Sequence, residues 1–279
     1  MKYIISLFFL VRPLNIITAI ASVFIVYYMV DIDNLKLIIS PCIILACYMA
    51  AGNILNDLID IESDKINKPN RPLINNSINT YLLIIIIIIL FFIGAWFAMN
   101  IDVYAMRIAL FFALPGIISY ELIFKRIPLI GNILISSLVG IVFVFTELAL
   151  SHSASITWKV TLLAFSLNLI REIIKDIEDI QGDLQLNYRS LPIVAGLPTT
   201  ILVVRFISIA FIVISMLPIF TLYYSWYYIP LIIFLIHTPL LYITIGLRDD
   251  ITPKECAKYS KVLKLMIING IVIILLSAK

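Results

Sequence analysis

The sequence NILNDLIDIESDKINKPNRPL, residues 53–73, joins a long apolar segment to four carboxylates and then to three basic side chains. If the apolar helix continues through this stretch, a rotation of about 100° per residue places Asn56, Asp60 and Asp64 about 40° apart, with Asp57 beside Asp64. These side chains then share one helix face. Carboxylates crowded on one face repel one another, so the pattern predicts a bound cation. Their hard oxygen atoms favour Mg²⁺ over zinc.

A second copy of this pattern lies in residues 175–183, KDIEDIQGD. With one constant offset of 119 residues, each aspartate of the first copy has a counterpart in the second: Asp176, Asp179 and Asp183. By the same offset, Asn56 corresponds to Lys175. A similar basic turn follows each copy and contains Arg71 or Arg189. One acidic helix end is usually a solvated surface, but two copies in register indicate a shared function.

The composition is that of an integral membrane protein. Among 279 residues, 62% are hydrophobic and the mean hydropathy is +1.10, far above the usual range of soluble domains. No hydrophilic block interrupts the chain, so we predict a single membrane domain over 1–279 with motifs at 56–64 and 175–183. The net charge of +3 is spread over short loops and indicates no nucleic-acid surface. The three cysteines lack metal-type spacing and are expected to be packing residues.

Nine segments are long and apolar enough to cross a hydrocarbon core, which needs about 20 residues of helix. Their approximate limits are 14–30, 35–60, 78–98, 102–122, 130–150, 157–180, 199–221, 227–247 and 256–277. No segment shows the alternation of a membrane strand, and backbone exposed to lipid must form its hydrogen bonds within its own segment. The sequence therefore predicts an all-α integral membrane protein with nine transmembrane helices.

The Lys and Arg residues of the connecting loops predict the orientation of the chain in the membrane. One side receives the N-terminus and the loops after the even-numbered spans, and its basic residues are Lys2, Arg12, Lys65, Lys68, Arg71, Lys125, Arg126, Lys175, Arg189, Arg248 and Lys254. The other side has little beyond Lys36, Lys159 and Lys279. We therefore expect a multi-pass protein of the cell membrane whose two motifs both face the cytoplasm.

Other polar residues allow two interpretations each. Asn15 lies one turn inside the first apolar span, after the helix-start sequence Arg12-Pro13, and suits either helix packing or ligand contact. Tyr120 and Lys125 suit either an anchor at the membrane interface or a donor set for an anionic ligand. No functional role is assigned to three further charged residues, Arg107, Glu147 and Arg205.

The charges around the two motifs indicate an anionic substrate. Besides the acidic clusters, four basic side chains are expected nearby: Arg71, Lys125, Lys175 and Arg189. Such a site suits a diphosphate, because metal ions bridge carboxylate and phosphate oxygens while basic side chains neutralise the remaining charge. A position in the membrane also allows a long apolar tail to lie among the helices. Together these features predict a prenyl diphosphate as substrate.

The motifs resemble those of the UbiA superfamily of intramembrane prenyltransferases. The resemblance rests on NDxxDxxxD after the second span, DxxDxxxD after the sixth, the RPxN start and YxxxxKR after the fourth span. It covers nearly the whole chain and implies nine helices arranged around a central cavity, with cytoplasmic caps formed by the loops after the second and sixth spans. Within the superfamily, residues 171–183 most resemble the archaeal digeranylgeranylglyceryl phosphate synthases.

The resemblance also implies an activity and a set of site residues. The activity is transfer of a geranylgeranyl group from geranylgeranyl diphosphate to the free hydroxyl of geranylgeranylglyceryl phosphate, which forms the second ether of an archaeal membrane lipid. The ligands implied for one Mg²⁺ are Asn56, Asp60 and Asp64, and those for a second are Asp179 and Asp183. The side chains implied to bind the diphosphate are Arg71, Tyr120 and Lys125. The implied catalytic residues are Asp60, Asp64, Asp179, Asp183 and Lys125.

Several assignments stay open at the level of sequence. Asp57 and Asp176 serve either as ligands or to orient basic neighbours. The candidates for binding the acceptor phosphate are Arg12, Asn15, Lys175 and Arg189. No acceptor-binding signature is distinctive, so an aromatic or quinone-precursor acceptor is the alternative, and a cation transporter with paired carboxylates is a remote one. The sequence does not specify the base that takes the acceptor proton, the prenyl chain length or the oligomeric state.

Overall fold

The computed structural model describes residues 2–67, 72–75, 78–216 and 225–277, and all regular structure in these ranges is helical. The predicted all-α fold class is therefore confirmed. The helices up to residue 122 are α1 (Lys2–Val11), α2 (Pro13–Val30), α3 (Ile39–Ile59), α4 (Ile61–Asn67), α5 (Pro72–Asn75), α6 (Thr80–Ala98), α7 (Val103–Arg107) and α8 (Leu114–Leu122). A short 3-10 helix, Phe124–Arg126, follows α8.

The remaining described helices follow the same pattern of long spans and short connecting helices. They are α9 (Ile130–Ser151), α10 (Trp158–Glu178), α11 (Ile180–Gln185), α12 (Leu191–Ala195), α13 (Leu197–Ile214), α14 (Tyr228–Ile232), α15 (Thr238–Gly246) and α16 (Pro253–Ser277). The chain divides into two compact units, Met1–Lys125 with Val144–Ala154 and Arg126–Phe143 with Ser155–Lys279. Each unit carries one of the two acidic motifs. The single domain over 1–279 stays a prediction.

Eight helical stretches among the described residues are long and apolar enough to cross a membrane. They are Pro13–Val30, Leu35–Ile59, Thr80–Ala98, Val103–Leu122, Ile130–Ser151, Leu197–Ile214, Tyr228–Gly246 and Pro253–Ser277. The remaining predicted span, 157–180, falls on α10, which has 21 residues but carries a series of charged side chains from Arg171 onward. The predicted number of nine membrane-crossing helices is therefore not confirmed, because α10 is less apolar than the other spans.

Helix α10 lies in the apolar core of the second unit. Ile170, Ile173 and Ile174 are fully buried, and their spacing puts them on one helix face. They belong to one cluster with Val204 of α13 and Met266 of α16. Since protein rather than lipid covers this face, a helix with several charged residues is stable here.

The core of the first unit joins its first, third and sixth helices. Leu10 of α1, Ala51 and Ile54 of α3, and Leu83 and Ile87 of α6 form one buried cluster. This packing fixes the end of α1 beside the last turns of α3. The first acidic motif begins in those turns.

Both motifs interrupt their helices at the same position. Helix α3 ends at Ile59, and Asp60 has φ −86° and ψ 6°, while α10 ends at Glu178 and Asp179 has φ −93° and ψ 5°. The N–H of each of these aspartates still donates to a carbonyl one turn earlier, at 2.9 Å in both motifs. The expectation that one helix continues through the motif is therefore wrong. A bend with ψ near 0° lies between Asp57 and Asp64 in the first motif and between Asp176 and Asp183 in the second.

The two halves also share backbone features outside the motifs. Arg12 before α2 and Leu129 before α9 both adopt left-handed φ angles, of 55° and 63°. The same holds for Asp31 after α2 and His152 after α9, with φ of 53° and 60°. The sequence offset of the motifs makes α2 and α9 counterparts. The repeat is thus visible in the backbone at both ends of the first span of each half.

Two further spans that the offset makes counterparts share a distorted helix. The π-helical segments Ile108–Ala113 and Ile233–His237 each end two residues before a proline, Pro115 and Pro239. Proline has no N–H to donate to the preceding turn and its ring crowds that turn, so a local widening of the helix relieves the contact. The repeat therefore includes the fourth and eighth predicted spans.

Candidate active site

Arg12 and Asp57 form an ion pair at the start of the first motif. Arg12 Nη2 donates to Asp57 Oδ1, and Asp57 is only 5% exposed. The same Nη2 donates to Oδ1 of Asn56 at 3.0 Å. Because a left-handed backbone costs a non-glycine residue roughly 1–2 kcal/mol, this pair also has to offset the strain at Arg12. Asp57 thus orients a basic side chain that comes from 45 residues earlier in the chain.

Glu121 connects the other side of Asn56 to Lys125. Asn56 Nδ2 donates to both carboxylate oxygens of Glu121, at 3.2 and 3.0 Å. Lys125 Nζ lies 3.5 Å from Glu121 Oε2 and donates to Asp60 Oδ2. Burial alone lowers the pKa of Lys125, but the carboxylates of Glu121 and Asp60 outweigh it and leave the pKa raised. Lys125 is therefore held as a cation against the first motif.

Asp60 and Asp64 provide carboxylates one turn apart. The N–H of Asp64 donates to the Asp60 carbonyl at 2.7 Å, and Asp64 is 5% exposed. Within the described ranges, no group of three or more His, Cys, Asp and Glu side chains is placed to hold a metal ion. Mg²⁺ commonly takes one or two protein carboxylates and completes its shell with water and phosphate oxygens. The donor set therefore fits Mg²⁺ that is bound together with a diphosphate.

A neutral amide holds the second motif. Asn132 Nδ2, near the start of α9, donates to Asp176 Oδ2 at 2.9 Å. The N–H of Asp183 donates to the Asp179 carbonyl at 3.1 Å, so these two carboxylates also lie one turn apart. Both are partly exposed. The second motif thus repeats the carboxylate pair of the first, and its donor set fits Mg²⁺ in the same way.

The cations of the second motif come from its own helix. Arg171 Nη1 lies 2.6 Å from Glu172 Oε1, and Lys175 Nζ lies 2.8 Å from Glu172 Oε2. Glu172 is 6% exposed, whereas the Lys175 side chain is 32% exposed. Arg171 Nε is buried and has no hydrogen-bond partner. One carboxylate therefore holds two basic side chains of the same helix close together.

Residues 14–269 match the UbiA prenyltransferase family. The chain belongs to this family. It is 33% identical over 261 residues to digeranylgeranylglyceryl phosphate synthase of Sulfurisphaera tokodaii, an alignment that covers 91% of this chain and 92% of that protein. The UbiA assignment makes the protein an intramembrane prenyltransferase and a multi-pass membrane protein.

Solved structures of UbiA prenyltransferases have the same fold. A digeranylgeranylglyceryl phosphate synthase structure superimposes with a TM-score of 0.75 at 28% identity, covering 99% of this chain and 98% of that chain. A UbiA homologue from Archaeoglobus fulgidus, solved with GPP and Mg²⁺, gives a TM-score of 0.68 at 16% identity over 96% of this chain and 99% of that chain. The last likeness concerns the fold alone.

Most of the other predicted site residues lie in the described part of this UbiA prenyltransferase. Tyr120 is buried in the last turn of α8, with 9% exposure. Asn15 lies in the first turn of α2, where its N–H donates to the Arg12 carbonyl at 2.9 Å. Arg189 is exposed in the turn after α11. Arg71 lies outside the described residues.

Two side chains that the sequence did not single out contact the motifs directly, Glu121 and Asn132. A signal for Glu121 was available, because a carboxylate within an apolar span needs a partner and Lys125 lies four positions later. Asn132 gave no comparable signal, since an amide near the start of an apolar span is common. Arg205 has a structural contact: its Nη2 donates to the Leu247 carbonyl at 2.8 Å, beyond the C-terminus of α15.

Proposed function

We propose that this UbiA prenyltransferase transfers a geranylgeranyl group from geranylgeranyl diphosphate to the free hydroxyl of geranylgeranylglyceryl phosphate, with Mg²⁺ as cofactor. The observation that carries the proposal is the contact of Lys125 with Asp60 inside a partly buried network that also holds Asn56. It supplies a fixed cation and hard oxygen ligands at one motif. The names of the relatives support this choice of substrates.

The carboxylates divide into two pairs for two Mg²⁺ ions. Asp60 and Asp64 would hold one ion, and Asp179 and Asp183 the other. When bound with the diphosphate, the ions neutralise the charge that builds on it as it leaves. In the structure the Asn56 amide oxygen accepts from Arg12, so we assign Asn56 to positioning and leave the metal to the carboxylates.

Lys125 is proposed to bind an oxygen of the departing diphosphate. Cleavage of the bond between C1 of the prenyl chain and the diphosphate oxygen leaves an allylic cation and carries the bonding electrons to the diphosphate. A lysine held in its charged form stabilises that negative charge. The acceptor hydroxyl oxygen then bonds to C1 and releases its proton. Apolar surroundings exclude water from the cation during this step.

Basic side chains of the second motif are proposed to bind the phosphate of the acceptor. Arg171 and Lys175 hold their charges close together, because both contact the Glu172 carboxylate, at 2.6 and 2.8 Å. Lys175 is partly exposed and can reach a ligand. Arg189 is exposed and is a further candidate. A phosphorylated glycerol acceptor needs such a group.

The test is a product assay with the purified protein in detergent or nanodiscs. The protein is incubated with Mg²⁺, labelled geranylgeranyl diphosphate and, in parallel, geranylgeranylglyceryl phosphate, an aromatic acid or a quinone precursor. We expect a product only with the glycerol-based acceptor, identified by mass, and complete and reversible loss of turnover in EDTA. Turnover with the aromatic acceptor alone would move the protein to another branch of the family. Full activity under chelation would refute the role of Mg²⁺.

We further propose that both motifs face the cytoplasm in the cell membrane. Glu62 and Gln185 are exposed positions beside the first and second motif. Single cysteines at these positions, in a protein without Cys42, Cys47 and Cys256, should react with an impermeant maleimide only after right-side-out vesicles are opened. Labelling of both cysteines in sealed vesicles would show that the motifs face the opposite side of the membrane.

A further inference from the structure

We infer that Glu121 is a positioning residue that holds Lys125 and Asn56 in place for the diphosphate. The inference rests on the proposed function, since it concerns how the first motif receives its substrate. Glu121 is 5% exposed and lies in the last turn of α8, four residues before Lys125. An ionised carboxylate at such a position is costly unless it is paired and hydrogen-bonded.

The contacts of Glu121 reach two residues of the site at once. Both of its oxygens accept from Asn56 Nδ2, at 3.2 and 3.0 Å, so the amide has its nitrogen toward α8 and its oxygen toward Arg12. Oε2 also lies 3.5 Å from Lys125 Nζ. Glu121 thereby joins the helix that carries Asn56 to the turn that carries Lys125.

Lys125 needs a second carboxylate beside it because Asp60, its first partner, is also proposed to bind the metal ion. Its Nζ donates to Asp60, and we propose Asp60 as a ligand that turns to the incoming substrate and its ion. Once Asp60 is occupied, the lysine would be free to swing on its flexible stem. Glu121 remains beside it in either case, since the two are four residues apart and Glu121 Oε2 lies 3.5 Å from Lys125 Nζ. The charge of Glu121 thus keeps Lys125 at the diphosphate position.

The experiment compares Glu121→Gln with a matched control, Glu62→Gln. Both replace a carboxylate that pairs with a lysine by its isosteric amide, but the Glu62 side chain is 67% exposed in a contact with Lys65. Affinity for geranylgeranyl diphosphate is measured per folded molecule by titration without acceptor, and KM and kcat are then measured with acceptor. Thermal midpoints report the effect on folding.

For Glu121→Gln we expect affinity to fall on the order of tenfold or more, because a misplaced binding group loses much of its effect. Glu62→Gln should match the unchanged protein. Glu121→Asp, which keeps the charge, should recover part of the loss. In a Lys125→Met background, Glu121→Gln should cause a smaller further loss than in the unchanged protein, because the part of its effect that acts through the lysine is already gone.

A purely structural role predicts a different result. Glu121→Gln would then lower the thermal midpoint but leave the affinity per folded molecule unchanged, and this outcome overturns the inference. Losses that multiply in the Lys125→Met background would overturn it as well. If the unchanged protein neither binds nor turns over prenyl diphosphates, the proposed function fails first. If the unchanged protein is active and Glu121→Gln does not change its affinity for the diphosphate, the inference is refuted but the proposed function is not.

Discussion

The two acidic motifs share the backbone angles of their central aspartate but differ in the side chains that contact their carboxylates. Asp60 and Asp179 break their helices with nearly identical angles. In the first motif, Asp57 and Asp60 both contact basic side chains from distant parts of the first unit, Arg12 and Lys125. In the second motif, Asp176 contacts only a neutral amide among the hydrogen bonds given above, and the nearby cations belong to α10 itself.

This difference shows that the repeat fixes the positions of the carboxylates more strictly than the partners that hold them. A buried carboxylate paired with an arginine becomes an uncompensated charge when the arginine is removed. A carboxylate held by an amide loses one hydrogen bond in the same experiment. The first motif should therefore be more sensitive than the second to changes far away in the sequence, although both should matter equally for chemistry.

The largest expected effects come from the carboxylates that the motifs share. Asp60→Asn and Asp179→Asn should each lower kcat by a factor on the order of 10² or more, about 3–4 kcal/mol, since each removes charge that counts most in the transition state. If both motifs act on one leaving group, as proposed, the double variant should lose less than the product of the two losses. Steady-state kinetics of the three variants measure this. An active, folded Asp179→Asn enzyme would mean that only the first motif is catalytic.

The next effect concerns stability and should separate the motifs. Arg12→Met should destabilise the protein by about 3 kcal/mol, because it leaves Asp57 buried without its cation. Arg126→Met is the control, since Arg126 is exposed and contacts Tyr188 without an ion pair: its Cζ lies 4.7 Å from the ring centroid and its Nη2 donates to the hydroxyl at 3.4 Å. Chemical or thermal unfolding in detergent gives the comparison. Equal unfolding midpoints for the two variants would contradict the importance of the Arg12 ion pair.

A smaller loss is expected at the corresponding contact of the second motif. Asn132→Leu should cost about 2 kcal/mol, since the Asp176 carboxyl loses its amide donor while the shape is nearly kept. Asn168→Leu, which removes a neutral buried bond to Ser136 at 3.2 Å in the same unit, should cost about 1 kcal/mol. Unfolding curves of both variants, compared with Arg12→Met, rank the contacts. Asn132→Leu as harmful as Arg12→Met would remove the distinction between the two motifs.

The smallest effect is expected where an ion pair is exposed. Lys65 Nζ lies 2.6 Å from Glu62 Oε1 within the first motif, but both side chains are more than half exposed. Glu62→Gln should therefore change stability by less than about 0.5 kcal/mol, the usual value of a solvated pair. The unfolding midpoint should stay within error of the unchanged protein. A clear loss would show that charge alone, without burial, decides the behaviour of the first motif.

The helical fold could be predicted because membrane helices have to satisfy their own backbone. Apolar length alone identified the eight described spans, seven of them to within a few residues at both ends, while the predicted end of 199–221 lies outside the described residues. A helix was also predicted over 157–180, where α10 lies, but α10 is not among the described helices that are apolar enough to cross a membrane. Protein covers its apolar face, so its other positions can carry charge. The bend at Asp60 was also missed, because aspartate is compatible with a helix and nothing in the local sequence marks a break. Backbone angles of this kind depend on tertiary contacts.

For the site, the spacing of charges was readable but the partners were not. Asp60 and Lys125 were both predicted as site residues, yet they are 65 positions apart and no local pattern joins them. Arg12 was predicted as a candidate for binding the acceptor phosphate, and in the structure it forms an ion pair with Asp57. Glu121 belongs to the same class, since its contact with Asn56 also spans 65 positions. Sequence periodicity reports one helix at a time, whereas these contacts join different helices.

The left-handed residues before α2 and α9 have a consequence for which substitutions each half can tolerate. At Leu129 the left-handed backbone favours glycine or asparagine, but the leucine side chain also packs against the apolar core of the second unit, so glycine would relieve roughly 1 kcal/mol of strain and lose that packing. At Arg12 the same backbone carries the guanidinium that Asp57 needs, so glycine would ease the turn and remove the ion pair together. The first copy of this turn is therefore restricted by an ion pair and its duplicate by apolar packing, so the same backbone strain is offset in two different ways.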